Sequence, residues 1–144
     1  MSTTQPIRSK QLRHDFKEYY LTKQPNSRNY TLILIGLNTA LRINDILHLT
    51  WGDVYCTEHS RFYTHLLITE KKTEKETRIL INRELQETLL SYRKTHTSIA
   101  DTDYLFPSPR KADSPLSRSP AYRIVRTAAE AVAIEDVIRF PSMR

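Results

Sequence analysis

The sequence predicts an α+β domain, mostly helical, with one small three-stranded antiparallel sheet. Three observations lead there. Apolar residues recur at helical spacing before residue 54 and again after residue 82, while the stretch between them turns extended; a Ser-, Pro- and Asp-rich connection then precedes the last helical pattern. At 144 residues the chain suits a single domain over 1–144, with room for one core and little for a second.

The elements follow in order. Leu12, Phe16, Tyr19 and Tyr20 form the stripe of an amphipathic helix over residues 7–23, with Ser9 as its expected N-cap. Pro25-Asn26-Ser27 breaks that pattern, and Asn26 or Ser27 can cap a second helix running to about Ala40. Its apolar run of Tyr30, Leu32, Ile33, Leu34, Ile35 and Leu37 makes it the central, mostly buried helix. Ile43, Ile46 and Leu47 make a short third helix, which Thr50-Trp51-Gly52-Asp53 closes, with Trp51 in the core.

From Val54 to Asn82 the pattern is extended. Arg61 to Thr69 and Thr77 to Asn82 read as a hairpin joined by a long charged turn over residues 71–76, with Val54-Tyr55 as a third strand. Asn82 caps a helix marked by Leu85, Leu89 and Tyr92, which frays near His96. Residues 97–118 form a linker whose apolar anchor is Tyr104-Leu105-Phe106-Pro107. An alanine-rich helix follows from Ser119-Pro120 to about Ala133, burying Ile124, Val125, Ala128 and Val132.

Bulk properties narrow the function. A hydrophobic content of 39% with 26% charged residues fits a soluble globular protein. The polar N-terminus and the lack of a long apolar run predict a cytoplasmic protein without a membrane partner. The single cysteine, Cys56, excludes an internal disulfide and argues against structural zinc, so neither a metal nor a cofactor is expected. Twenty-two Lys and Arg against sixteen Asp and Glu give a formal charge of +6, which favours a polyanionic partner, double-stranded DNA above all.

The chemistry-bearing stretch is Leu34-Ile-Gly-Leu-Asn-Thr-Ala-Leu-Arg42-Ile-Asn-Asp45-Ile-Leu-His-Leu-Thr-Trp51-Gly-Asp53-Val54. Asp45 lies one helical turn beyond Arg42, so its carboxylate is expected to hold the guanidinium fork for a phosphate. The stretch resembles the first arginine box of the tyrosine recombinases, the phage-integrase superfamily, where a Gly-Leu-Arg-Ile-Ser-Glu-Leu type run precedes Leu-x-Trp-x-Asp-Val. Ala40 stands here in place of glycine, Asn44 in place of serine and Asp45 in place of glutamate.

The resemblance implies a recombinase catalytic core and assigns roles within it. A lysine on the hairpin turn would protonate the leaving 5′ oxygen of DNA; Lys72 matches best, with Lys71 its near rival. Pro141-Ser142-Met143-Arg144 takes the place of the His-x-x-Arg box, so Arg144 matches the second arginine and proline replaces the histidine. Arg42, Lys72 and Arg144 are then the catalytic set, with Lys71, Lys75 and Arg78 on DNA phosphates. The family's nucleophilic tyrosine lies beyond that box. The expectation is therefore a truncated catalytic domain for DNA recombination and integration from a mobile element. It would be unable to cleave alone and would leave apolar surface on the central and alanine-rich helices, unless residues 134–144 fold back over it.

That surface could support self-association or pairing with a full-length recombinase. Two other readings stand beside this one. Residues 29–50 could be a helix-turn-helix, although residues 43–50 carry no arginine or lysine to read guanine edges. A protein-interaction module with an incidental basic face is the other.

Overall fold

The computed structural model describes residues 5–69 and 73–139, with side chains described from residue 10 to residue 133. Helix α1 (Gln5–Glu18) runs into a π-helical turn (Tyr19–Lys23), followed by α2 (Ser27–Thr39), α3 (Ile43–Leu47) and α4 (Trp51–Val54). Four short strands come next: β1 (Tyr55–Cys56), β2 (Arg61–Phe62), β3 (His65–Thr69) and β4 (Glu76–Leu80). Helices α5 (Arg83–Arg93) and α6 (Arg118–Arg139) complete the described chain. The fold is α+β, as the sequence predicts.

Three expectations are corrected. The strands form two separate two-stranded antiparallel ladders, β1 with β2 and β3 with β4, in place of one three-stranded sheet. The reason is local: a tight turn with Ser60 at φ 51° folds Arg61–Phe62 directly back on Tyr55–Cys56. The chain then bends at Tyr63 and Thr64 before β3 begins. Ser9 lies inside α1 and does not cap it. The Thr50–Asp53 segment is its own single-turn helix, because Thr50 and Asp53 form a reciprocal capping box.

Helix α2 is central, and Leu32, Ile33, Leu34 and Ile35 are all buried. Asn26 caps it by accepting the Asn29 N–H at 3.0 Å. Beside it an aromatic stack fixes the second half of the core. Trp51 lies 5.7 Å from Tyr92, and Tyr92 stacks on Phe106 at 5.8 Å. Removing rings of this size from water contributes roughly 2–3 kcal/mol each.

The 97–118 linker is tied down more firmly than its composition suggests. Leu105 N–H donates to Leu49 C=O, Trp51 N–H to Asp103 C=O and Gly52 N–H to Asp101 C=O, at 3.0, 2.9 and 2.8 Å. At Gly52 a β-carbon would sit 3.0 Å from the Asp101 oxygen, so any side chain there would crowd this contact. Leu116 adds a second buried anchor, and its N–H donates to Phe106 C=O at 2.7 Å.

Helix α6 buries Ala121, Ile124, Ala128 and Val132, and the Tyr20 hydroxyl donates to Ile124 C=O at 2.7 Å. The alanine-rich helix does not turn back after Ala133: residues 134–139 continue it. An open apolar groove of about 290 Å³ remains between α1, α2, α3 and α6, with Phe16, Leu37, Leu41, Ile43, Tyr122 and Val125 among its walls. This is the apolar surface expected on the central and alanine-rich helices.

Candidate nucleic-acid interface

Arg42 sits where α2 reverses into α3. The reversal is made by Ala40, which ends α2 in the left-handed conformation at φ 57°, ψ 21° and donates its N–H to Gly36 C=O at 3.1 Å. Arg42 then adopts extended backbone angles of −68° and 150° as the residue before α3. Its carbonyl accepts the N–H groups of Asp45 and Ile46 at 3.0 and 3.1 Å. The backbone of Arg42 is thus held at two points while its side chain stands in solvent.

The expected Arg42–Asp45 side-chain bond is not formed. Among the described residues neither group has a hydrogen-bonded or ion-paired side-chain partner. The spacing argument assumed that both residues are helical, whereas Arg42 is the non-helical cap and its Cα–Cβ bond does not follow the α3 face. The guanidinium keeps all five of its donors for a ligand.

A polar network ties the start of α5 to this end of α2. Asn82 caps α5 by accepting Leu85 N–H at 2.9 Å, and its amide donates to Asn38 Oδ1 at 2.8 Å. Asn38 donates in turn to Leu34 C=O at 2.9 Å and to Glu84 Oε1 at 3.3 Å. Lys17 closes the chain on Glu84 at 2.6 Å. The shared hydrogen bond holds the Glu84 carboxyl below its usual pKa and the Lys17 ammonium above its own. Three elements, α1, α2 and the start of α5, therefore meet two residues past the end of β4 and four residues before Arg42.

The hairpin itself pairs Thr69 with Glu76, and residues 73–75 lead into β4 as its described loop residues. Leu66 and Ile68 turn inward, while Leu67 and its partner Arg78 lie on the solvent face. Lys75 is exposed at the loop's end. Lys71 and Lys72, the candidate proton donors, and Arg144 with its Pro141 neighbour lie outside the described residues.

Other features bear on the rival readings. The helix within residues 43–50 ends at Leu47, and its Ile46 and Leu47 are buried. Among the described residues no cluster of three or more His, Cys, Asp or Glu is placed to hold a metal ion, and no helix is long and apolar enough to cross a membrane. The tyrosines expected to be structural are so. Tyr20 and Tyr92 donate to backbone carbonyls, and burial pushes the Tyr92 phenol up to about 12. Sequence reasoning missed the Asn38–Asn82–Glu84–Lys17 network, whose members come from three distant segments.

Arg42 stands exposed on a backbone held at two points, and Lys75 and Arg78 are exposed on the β3–β4 hairpin, within a mostly helical α+β scaffold. Residues 10–144 match the phage integrase family, and the chain belongs to it. It is 41% identical over 137 residues to the probable integrase/recombinase YoeC of Bacillus subtilis (strain 168), covering 95% of this chain and 69% of that protein. Site-specific recombination is the process with which this family is associated.

Proposed function

We propose that this chain binds duplex DNA through its arginine-box face and supplies part of a recombinase active centre for DNA integration. Arg42 is the phosphate clamp, Lys75 and Arg78 contact neighbouring phosphates, Lys72 or Lys71 protonates the leaving 5′ oxygen, and Arg144 is the second clamp. The observation that carries this reading is the unpaired, exposed guanidinium of Arg42 on a doubly anchored backbone. Phosphoryl transfer to a phenol needs cations on the non-bridging oxygens, an in-line nucleophile and a proton for the departing alkoxide. Pre-positioned donors lower the barrier because they need no reorganisation as charge develops.

The chain is proposed not to cleave by itself. Tyr20 and Tyr92 have their hydroxyls committed to carbonyls. No tyrosine hydroxyl among the described residues bonds to Arg42. A nucleophile would then come from a recombinase partner, and the apolar groove between α2 and α6 offers a surface for that association.

The test has two arms. Duplex binding measured from low to moderate salt should fall along a straight log–log line, and Arg42→Ala should reduce its slope by about 0.9, the release expected for one phosphate. Affinity insensitive to both salt and Arg42→Ala overturns the DNA-binding reading. Incubation with a nicked suicide duplex followed by denaturing electrophoresis should show no covalent adduct; an adduct overturns the proposed inactivity.

A further inference from the structure

At the far end of α2 from Arg42 an open groove of about 710 Å³ runs between the π turn, the start of α2, the 108–117 loop and the first turns of α6. Three arginines line it, Arg28, Arg110 and Arg123, and no Asp or Glu does. None of the three is ion-paired among the described residues. Three uncompensated guanidinium groups around one concavity raise the local potential and call for a multiply charged anion.

A buried donor points the same way. Asn29 lines the groove and is 8% exposed. Its Oδ1 accepts from Arg28 Nε at 3.0 Å, and since Nε can only donate, the amide nitrogen must be the other atom. That Nδ2 donates to nothing among the described residues. A buried donor without an acceptor is destabilising, so one in a native fold asks for a partner. Ser119 lines the same groove and adds a hydroxyl donor.

We infer that this groove is an oxyanion site that takes a phosphate group, through Arg28, Arg110, Arg123 and the Asn29 amide. A tetrahedral phosphate offers several oxygens to donors arriving from different sides, whereas a lone carboxylate would leave most of the charge unmatched. The groove is much larger than one phosphate, so the group can be carried on a nucleotide or on a strand of DNA. The site is separate from the arginine box: α2 spans roughly 20 Å between them at 1.5 Å per residue.

The test uses the full chain and inorganic phosphate, titrated at fixed ionic strength while the arginine Nε–H and asparagine NH2 resonances are followed. Saturable shifts at Arg28, Arg110, Arg123 and Asn29 are expected. Arg123→Gln, an exposed change, should weaken phosphate roughly tenfold, and Arg42→Ala should leave those shifts intact. A second arm measures duplex DNA against salt. A slope reduced in Arg123→Gln makes the DNA backbone the source of the phosphate, and an unchanged slope with phosphate affinity lost makes it a free phosphate or nucleotide. Shifts that do not saturate, or that vanish in Arg42→Ala and survive in Arg123→Gln, overturn the site. The Arg42→Ala arm keeps this outcome distinct from failure of the arginine-box reading.

Discussion

Ala40→Gly is expected to stabilise the protein. Ala40 occupies the left-handed region at φ 57° to end α2, and the sequence motif it belongs to carries glycine there. A side chain in that region costs roughly 1–2 kcal/mol through the clash of Cβ with the backbone. Ala40 is exposed, so its methyl makes no core contact to lose. Against the relief stands the larger entropy of glycine in the unfolded chain, roughly 0.4–1 kcal/mol. The balance is a gain of about 0.5–1 kcal/mol, or about 1–4 °C in Tm for a chain of this size. Urea unfolding followed by circular dichroism reads it as a raised midpoint with unchanged slope. Ala40→Val, with a β-branched side chain in the same conformation, should lower the midpoint by more than the glycine raises it. A glycine variant that is less stable, or a valine variant that equals the parent, would refute the reasoning.

Three further outcomes follow from the hydrogen-bond network and the aromatic stack. Asn82→Ala removes both the α5 cap and the bond to Asn38, for about 2 kcal/mol; Asn82→Asp keeps the cap and should recover about half of it in the same urea assay. Tyr92→Phe leaves Leu105 C=O without its 2.6 Å donor inside the core, costing about 1–3 kcal/mol by thermal unfolding. Glu84→Gln tests the pH dependence. The Glu84 pKa is depressed below 4.5 and the Lys17 pKa raised above 10.5. Their pairing therefore stabilises the fold between those values, fades as pH falls through the lowered carboxyl pKa and fades again as pH rises through the raised ammonium pKa. The stability difference between Glu84→Gln and the parent should be flat near neutrality and close at acid pH. A difference that persists there would count against the pairing.

Helices α2 and α5 were legible because each shows one strong period and a side-chain cap: Asn82 and, with Ser27 as its alternative, Asn26 stand out in the sequence, and both asparagines accept a backbone N–H. The ladders were less so. Alternation marked Arg61 to Thr69 as one extended run, and only the left-handed turn at Ser60 decides that its first two residues pair backward with Tyr55–Cys56. Arg42 was found by its motif, but the Asp45 bond failed because a cap residue does not obey helical spacing. The basic groove was invisible in sequence, since Arg28, Arg110 and Arg123 are brought together by the fold alone.

The three backbone bonds from residues 49–52 to residues 101–105 have a consequence for how the molecule assembles. They close a ring of about fifty residues, and the chain entropy for such a closure is roughly 3.5 kcal/mol. No single one of these bonds repays that, so the ring shuts only once the intervening hairpin and α5 have shortened the path. The segment that follows Arg42 is then expected to be among the last to become rigid, and a substitution that weakens the packing of α5 should be felt at the arginine box as slower maturation, with every residue of the box itself unchanged.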